Sequence, residues 1–128
     1  MHELSERLLQ EAWKVREYAH VIGPTRVGCA LLSEGGRIHT GCNVEHRYRS
    51  HDVHAEVNAI TSMVTAGDHR IAALAIAAER DRFTPCGACM DWIFQFADPE
   101  VCEVLCQAVP DGPVVRYQLR DLMPFYPR

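Results

Sequence analysis

An unbroken apolar run near the middle of the chain, IAALAIAA at residues 71–78, constrains the fold more than any other segment. Polar residues bound it on both sides, as expected for a short strand that is buried on both faces. The run is too short to span a bilayer, which needs about 20 apolar residues. We therefore expect it to lie inside a sheet that is covered by helices.

Helical and strand patterns alternate around this run in the order α-β-β-α-β-α-β-β-α. The periodicity predicts helices over 3–20, 53–66 and 86–97, a helical turn over 120–123, and strands over 26–32, 37–44, 71–78, 101–109 and 114–119. We expect one domain over residues 1–128. Its fold class is α/β: a five-stranded mixed sheet with helices on both faces, in three α/β/α layers.

Charge limits the partners of the chain. The formal net charge of −4 disfavours a nucleic-acid polymer, because binding to phosphates needs clustered Lys and Arg. The first 18 residues carry charge throughout and show no apolar signal core, so we expect no secretion and no membrane partner. The protein is therefore expected to be cytoplasmic, with its six cysteines reduced.

Two short motifs indicate a metal site: HAE at residues 54–56 and PCGAC at residues 85–89. Cys86 and Cys89 share one face at a helix start, where the helix dipole favours thiolate. Zinc binds thiolate and imidazole in tetrahedral sites, so adding His54 would leave one position open, as in catalytic sites. Glu56 could reach the same ion only at a helix entrance, and as a non-ligand it could shuttle protons.

The cysteines also allow other interpretations. Cys-x-x-Cys at a helix start suits a thioredoxin-like redox pair, but a redox pair would leave His54 and Glu56 without a role. His54 taken alone could be a residue that caps the helix. A structural zinc site completed by Cys102 and Cys106 fails, because four strand residues span about 13 Å while zinc–sulfur bonds are about 2.3 Å. We expect these two cysteines, with Cys29, to pack in the core.

These motifs together resemble the zinc-dependent cytidine deaminase family, whose signature combines H-x-E or C-x-E with P-C-x-x-C. The likeness covers VGCALLSEGGRIHTGCNVE, HAEVNAI, TPCGACMDWIFQF and LRDLMPFYP. It is greatest to the short free-nucleoside cytidine deaminases and the blasticidin S deaminases. The resemblance implies a cytidine deaminase-like fold and one Zn²⁺ per subunit, held by His54, Cys86 and Cys89. It implies that Glu56 moves a proton from water to the ring nitrogen.

The resemblance also implies contacts to the substrate. The backbone of Ala55 would meet the pyrimidine O2, while the carbonyl of Thr84 and the N–H of Cys86 would flank the exocyclic amine and the attacking hydroxide. Asn43 and Glu45 match the N-x-E pair that binds ribose hydroxyls, which an amide and a carboxylate can share. In the alternative interpretation, Asn43 closes a turn and Glu45 is solvated.

The sequence departs from the family pattern in three places, so the resemblance does not assign every residue of the substrate pocket. Arg26 stands where free-nucleoside members often carry an aromatic residue, and Met90 stands where they usually carry arginine. The loop over residues 46–51 is more basic than usual. Either this loop is solvated or contacts another subunit, or Arg47 or Arg49 meets a phosphate or carboxylate of the substrate.

The resulting prediction is an enzyme that deaminates a free nucleoside hydrolytically, with cytidine or deoxycytidine as first choice, in pyrimidine salvage. Alternatives are a modified nucleoside, a nucleotide, a blasticidin-like antibiotic, a polynucleotide as in the tRNA adenosine deaminases, and a zinc-stabilised binding protein without catalysis. Active sites of the resembling family are built from several chains of a homotetramer. We therefore expect a homo-oligomer, a tetramer or a dimer, in which Phe125 closes over a base.

Overall fold

The computed structural model of this protein describes residues 2–81 and 83–127. The helices are α1 (His2–Arg16), α2 (Ala55–Thr65), α3 (Gly87–Phe96) and α4 (Leu119–Leu122), with one 3₁₀ turn at Arg49–His51. The strands are β1 (Val27–Ser33), β2 (Ile38–Cys42), β3 (Ile71–Ala78), β4 (Glu103–Gln107) and β5 (Val114–Gln118). Leaving the 3₁₀ turn aside, this is the element order that the periodicity predicts.

The strands form one five-stranded mixed sheet in the order β2-β1-β3-β4-β5. β3 and β4 are parallel, and α3 connects them. The other neighbouring strands are antiparallel. β3 therefore lies at the centre of the sheet, where strands pair with it on both sides, as its apolar sequence indicates.

Helices cover both faces of the sheet, as predicted. Successive residues of a strand point to opposite faces, and β3 uses both of them. Ala75 and Ala77 pack in a cluster with Leu8 and Ala12 of α1. The alternate residues of β3 pack in a second cluster with α2 and α3. The small alanines leave space for α1 to approach the sheet closely, and the result is a three-layer α/β/α arrangement.

Three cysteines that the sequence predicts to pack in the core do so. Cys29, Cys102 and Cys106 are at most 2% exposed. Burial raises the pKa of the Cys102 and Cys106 thiols to about 12, so both stay protonated near neutral pH. All six cysteines are free.

The observed elements are shorter than the sequence predicts at several ends. After Arg16, the N–H groups of Tyr18 and Ala19 bond to carbonyls three residues earlier, so α1 tightens into a turn and stops before residue 20. β2 ends at Cys42 because Val44 pairs with His20 and Val53 outside the sheet. In the described part of the chain, no helix has the length and apolar character needed to cross a membrane.

Candidate active site

The two sequence motifs lie where α2 and α3 begin. His54 is the residue before α2 and has extended backbone angles, with φ −78° and ψ 155°. Because His54 is not helical, its side chain can face the same space as that of Glu56, two residues later. Cys86 precedes α3 in the same way, with φ −68° and ψ 169°, and its sulfur accepts the N–H of Cys89 at 3.5 Å. The helix entrance that the H-x-E motif requires is therefore present.

The three predicted zinc ligands converge. His54 Nδ1 lies 3.2 Å from Cys89 Sγ and 3.4 Å from Cys86 Sγ. All three donor atoms lie within 4.8 Å of one another. Tetrahedral zinc, with Zn–S of about 2.3 Å and Zn–N of about 2.1 Å, places nitrogen and sulfur ligands roughly 3.5 Å apart. Within the described residues 2–81 and 83–127, the donor group consists of these three residues. Three donors fit a tetrahedral zinc ion and leave one of its four positions open.

The three donor residues differ in burial. Cys89 is fully buried, while His54 and Cys86 are exposed, so the donor group has one covered side and one open side. Burial, followed by the nearby Glu56 carboxylate, raises the pKa of the Cys89 thiol well above its ordinary value. A thiol in this setting becomes a thiolate when it ligates a metal, because the positive charge stabilises the anion.

Glu56 lies beside the donor group without belonging to it. The residue is 7% exposed, and this burial raises the pKa of its carboxyl above the ordinary value. A carboxyl whose pKa is shifted toward neutrality exchanges protons more readily, as a general acid and base requires. The position and environment of Glu56 therefore suit the proton transfer that the sequence predicts for it.

A cavity of about 310 Å³ opens in front of the donor group. Several residues proposed from the sequence line it: Asn43, Glu45, Arg49, His54, Ala55, Glu56, Thr84 and Cys86. These residues come from the end of β2, the following loop, the start of α2 and the entrance of α3. The fold thus brings the predicted metal ligands and most of the predicted substrate contacts to one place.

Asn43 is held at the cavity by the backbone of the neighbouring segment. Its Oδ1 accepts the N–H of Val27 at 2.8 Å, and its Nδ2 donates to the carbonyl of Thr25 at 2.9 Å. A primary amide has two N–H donors and two lone pairs, so one of each remains for a ligand. Asn43 therefore closes the turn before β1, as in the alternative interpretation, and keeps hydrogen-bonding capacity toward the cavity.

Three of the proposed contact residues do not line this cavity. The Arg26 guanidinium donates to the carbonyl of Ala19 at 2.8 Å and so caps the turn after α1. Arg47 is an exposed residue of the loop after β2. Phe125 is 96% exposed, whereas the next residue, Tyr126, packs against α3. Tyr126 stacks on Phe94 at 4.6 Å between ring centroids.

The cavity also contains residues that the sequence interpretation missed. Asp52, Arg80 and Phe83 line it, together with Thr25, which precedes β1, and Val27, the first residue of β1. Three of these residues, Asp52, Arg80 and Phe83, could have been found from their closeness in sequence to a metal ligand. Arg80 and Phe83 lie between β3 and the P-C-x-x-C motif, and Asp52 lies two residues before His54, so all three precede a metal ligand closely.

Comparison with known proteins gives the same assignment. Residues 2–105 match the family model described as the cytidine and deoxycytidylate deaminase zinc-binding region. The chain is 34% identical over 122 residues to a probable cytidine deaminase of Dictyostelium discoideum, covering 93% of this chain and 80% of that protein. It is 39% identical over 95 residues to a cytidine deaminase of Sporosarcina psychrophila, covering 73% and 70%.

Solved structures agree with these relatives. The chain is similar to the crystal structure of cytidine deaminase from Burkholderia pseudomallei, with a TM-score of 0.83, 30% identity, and coverage of 93% of this chain and 95% of that one. It is also similar to the cytidine deaminase of Mycobacterium tuberculosis, with a TM-score of 0.79, 28% identity and 94% coverage of both chains. The chain belongs to the cytidine and deoxycytidylate deaminase family of zinc-dependent hydrolytic deaminases.

Proposed function

We propose that this protein deaminates cytidine or deoxycytidine to uridine or deoxyuridine and releases ammonia. One observation carries the proposal: His54, Cys86 and Cys89 bring three zinc donors within 4.8 Å of one another, beside a cavity that His54, Cys86 and Glu56 line. A metal site with one open position beside a buried carboxyl suits the hydrolytic replacement of an amine. The curated relatives named above are cytidine deaminases, which supports the same choice of substrate.

His54, Cys86 and Cys89 would hold the zinc ion. When bound, zinc acts as a Lewis acid that acidifies water and supplies a nucleophile near neutral pH. The Glu56 carboxylate accepts the proton that water loses and delivers it to the ring nitrogen next to the amine-bearing carbon. The water oxygen adds to that carbon as a hydroxyl group. Glu56 then takes the hydroxyl proton and passes it to the exocyclic nitrogen, so the carbon–nitrogen bond breaks, ammonia leaves and the product carbonyl forms.

The remaining residues of the cavity orient the base and the sugar. The N–H of Ala55 would donate to the pyrimidine O2, and the carbonyl of Thr84 would accept a hydrogen bond from the exocyclic amine. The free N–H of Asn43 and the carboxylate of Glu45 would bind the sugar hydroxyls, for which their spacing from the zinc motif is suitable. These contacts would place the reacting carbon near the metal, where proximity contributes to the rate.

The test is ammonia release by the purified, zinc-loaded protein from cytidine, deoxycytidine, cytidine 5′-monophosphate and adenosine. We expect turnover of cytidine or deoxycytidine and about one zinc per chain. Absence of turnover with both, at full zinc occupancy, would contradict the proposal. A gel shift with single-stranded RNA at low salt tests the polynucleotide alternative, because tight and salt-sensitive binding is expected only if nucleic acid is the substrate.

We further propose that the protein works as a homo-oligomer, a tetramer by preference, in the cytoplasm. The exposed Phe125 supports an oligomer, because an aromatic side chain that is 96% exposed in the single chain gains most from a neighbouring subunit. The free cysteines support a reducing compartment. Light scattering of the purified protein tests the oligomer, and fractionation of the producing cells tests the compartment.

A further inference from the structure

Arg49, in the loop between β2 and α2, contacts two carboxylates of the cavity. Its Nε donates to Asp52 Oδ2 at 2.9 Å, and its Nη2 lies 3.1 Å from Glu45 Oε2. The Glu45 and Asp52 side chains are 11% and 15% exposed, whereas the Arg49 side chain is 55% exposed. The three residues form what we call the Arg49 bridge. Its one positive charge faces two negative charges, so the Arg49 bridge carries a net charge of −1.

The other oxygen of Glu45 is bound by the backbone. Glu45 Oε1 accepts the N–H groups of Ile22 at 2.6 Å and of Gly23 at 2.8 Å. The Gly23 and Ile22 N–H groups lower the pKa of the Glu45 carboxyl, with a smaller effect from Arg49. The group therefore stays ionised and acts only as an acceptor. Because Oε1 already holds two donors, a ligand hydroxyl must use the free lone pair of Oε2, beside Arg49.

The bridge also connects the sugar-binding side of the cavity to the metal-binding side. Asp52 Oδ1 accepts the N–H of His46 at 2.7 Å. Val44 and Val53 exchange two backbone hydrogen bonds of 2.9 Å, which close the loop at its base. Asp52 lies two residues before the metal ligand His54. Arg49 therefore fixes Oε2 of Glu45 relative to the segment that leads into the metal site.

We propose that Arg49 is a positioning residue that orients Glu45 to accept a hydrogen bond from a sugar hydroxyl of the substrate. This inference rests on the proposed nucleoside deaminase function. Within a bridge of net charge −1, the ionised Glu45 carboxylate accepts from a hydroxyl donor and disfavours an anionic group at that position.

The experiment compares Arg49→Ala with wild type on two substrates, cytidine and 2′,3′-dideoxycytidine, using zinc-loaded protein. With cytidine we expect KM to rise about tenfold and kcat to change little, because a charge-assisted hydrogen bond is weakened in binding. With dideoxycytidine, which lacks both ring hydroxyls, wild type and Arg49→Ala should have equal kcat/KM. Arg49→Lys should be intermediate, because one ammonium group cannot reproduce the fork that contacts both carboxylates.

Arg70→Ala is the matched control, because Arg70 also forms an ion pair, 3.8 Å from Glu34, but does not line the cavity. It should leave KM for both substrates unchanged. A second measurement removes the acceptor charge: in a Glu45→Gln background, Arg49→Ala should raise KM for cytidine by much less than tenfold. This double-mutant cycle stays informative if Arg49→Ala alone loses some stability.

Four outcomes would overturn the proposal. Equal losses by Arg49→Ala on cytidine and dideoxycytidine would mean that Arg49 only maintains the fold. An effect of Arg49→Ala that is as large in the Glu45→Gln background would mean that Arg49 acts without Glu45. Wild-type protein that turns over no nucleoside would overturn the proposed function and this inference together, whereas turnover with no effect of Arg49→Ala would overturn this inference alone.

Discussion

Gly41 of β2 and Ala59 of α2 are in backbone contact: a Cβ atom on Gly41 would lie 2.4 Å from the Ala59 nitrogen. Atoms of Asn58 would be almost as close, at 2.7 and 2.8 Å. The Asn58 amide adds to this contact by donating to the carbonyl of Cys42 at 3.0 Å. Since His54 and Glu56 stand at the start of α2, the contact sets the height of the catalytic motif above the sheet.

Gly41→Ala is therefore expected to destabilise the protein by about 3 kcal/mol, because a methyl group cannot fit between two backbones without displacing α2. For a domain of this size we expect the Tm to fall by about 10 °C. Thermal unfolding followed by circular dichroism checks this. Gly87→Ala is the control, since a Cβ at Gly87 meets nothing within 4 Å, and it should not lower the Tm. Equal stability of Gly41→Ala and wild type would contradict the tight contact.

Removal of one metal donor should release the ion. We expect Cys86→Ser to lower the zinc content from about one per chain to near zero and to reduce deamination at least ~100-fold, because two remaining donors bind zinc weakly. Metal analysis after dialysis and an ammonia assay measure both effects. Cys42→Ala is the control, because Cys42 is a half-buried cysteine of β2 outside the donor group, and it should retain zinc. Full zinc occupancy in Cys86→Ser would argue against the proposed ligand set.

Glu56→Gln separates proton transfer from metal binding. The amide keeps the size of the side chain but cannot take up or release a proton at neutral pH. We expect kcat to fall by about 10²- to 10⁴-fold, the usual contribution of a general acid and base, with zinc content unchanged. Single-turnover assays with cytidine and metal analysis on one preparation test this. Substantial turnover in this variant would rule out Glu56 as the proton carrier.

The sequence alone was sufficient for the parts of this molecule that depend on local patterns. The apolar run of β3 identified the central strand, and the helical stripe after His54 located α2. The zinc donors could be predicted because Cys86 and Cys89 are close in sequence and His54 belongs to a short motif with Glu56. Each of these signals lies within one turn or one strand, where residue spacing decides which side chains share a face.

The sequence alone was not sufficient where distant segments decide what a side chain contacts. Arg26 was a candidate for the base pocket, but the carbonyl of Ala19, presented by the turn after α1, takes its guanidinium. Arg49 was a candidate for a substrate anion, but Glu45 and Asp52 pair with it. Arg80 was missed, because its access to the cavity depends on how β3 leads into α3. No spacing rule encodes such contacts, since they follow from packing between elements.

The ion cluster at the far end of α2 should make the stability depend on pH. Asp68 accepts hydrogen bonds from Arg37 Nε and His39 Nε2, both at 2.9 Å, and these hold the pKa of its carboxyl well below the ordinary value. A lowered pKa in the folded state stabilises the protein fully above the unfolded pKa of about 3.9. The contribution declines below that value and disappears as the pH falls through the lower pKa of the folded state. We therefore expect Asp68→Asn to have a lower Tm than wild type at pH 7 and a shrinking difference below about pH 4. Asp121→Asn, at an exposed residue 3.7 Å from Arg120, should show little difference at either pH. A difference for Asp68→Asn that stays constant from neutral to acid pH would show that its carboxylate charge does not stabilise the fold.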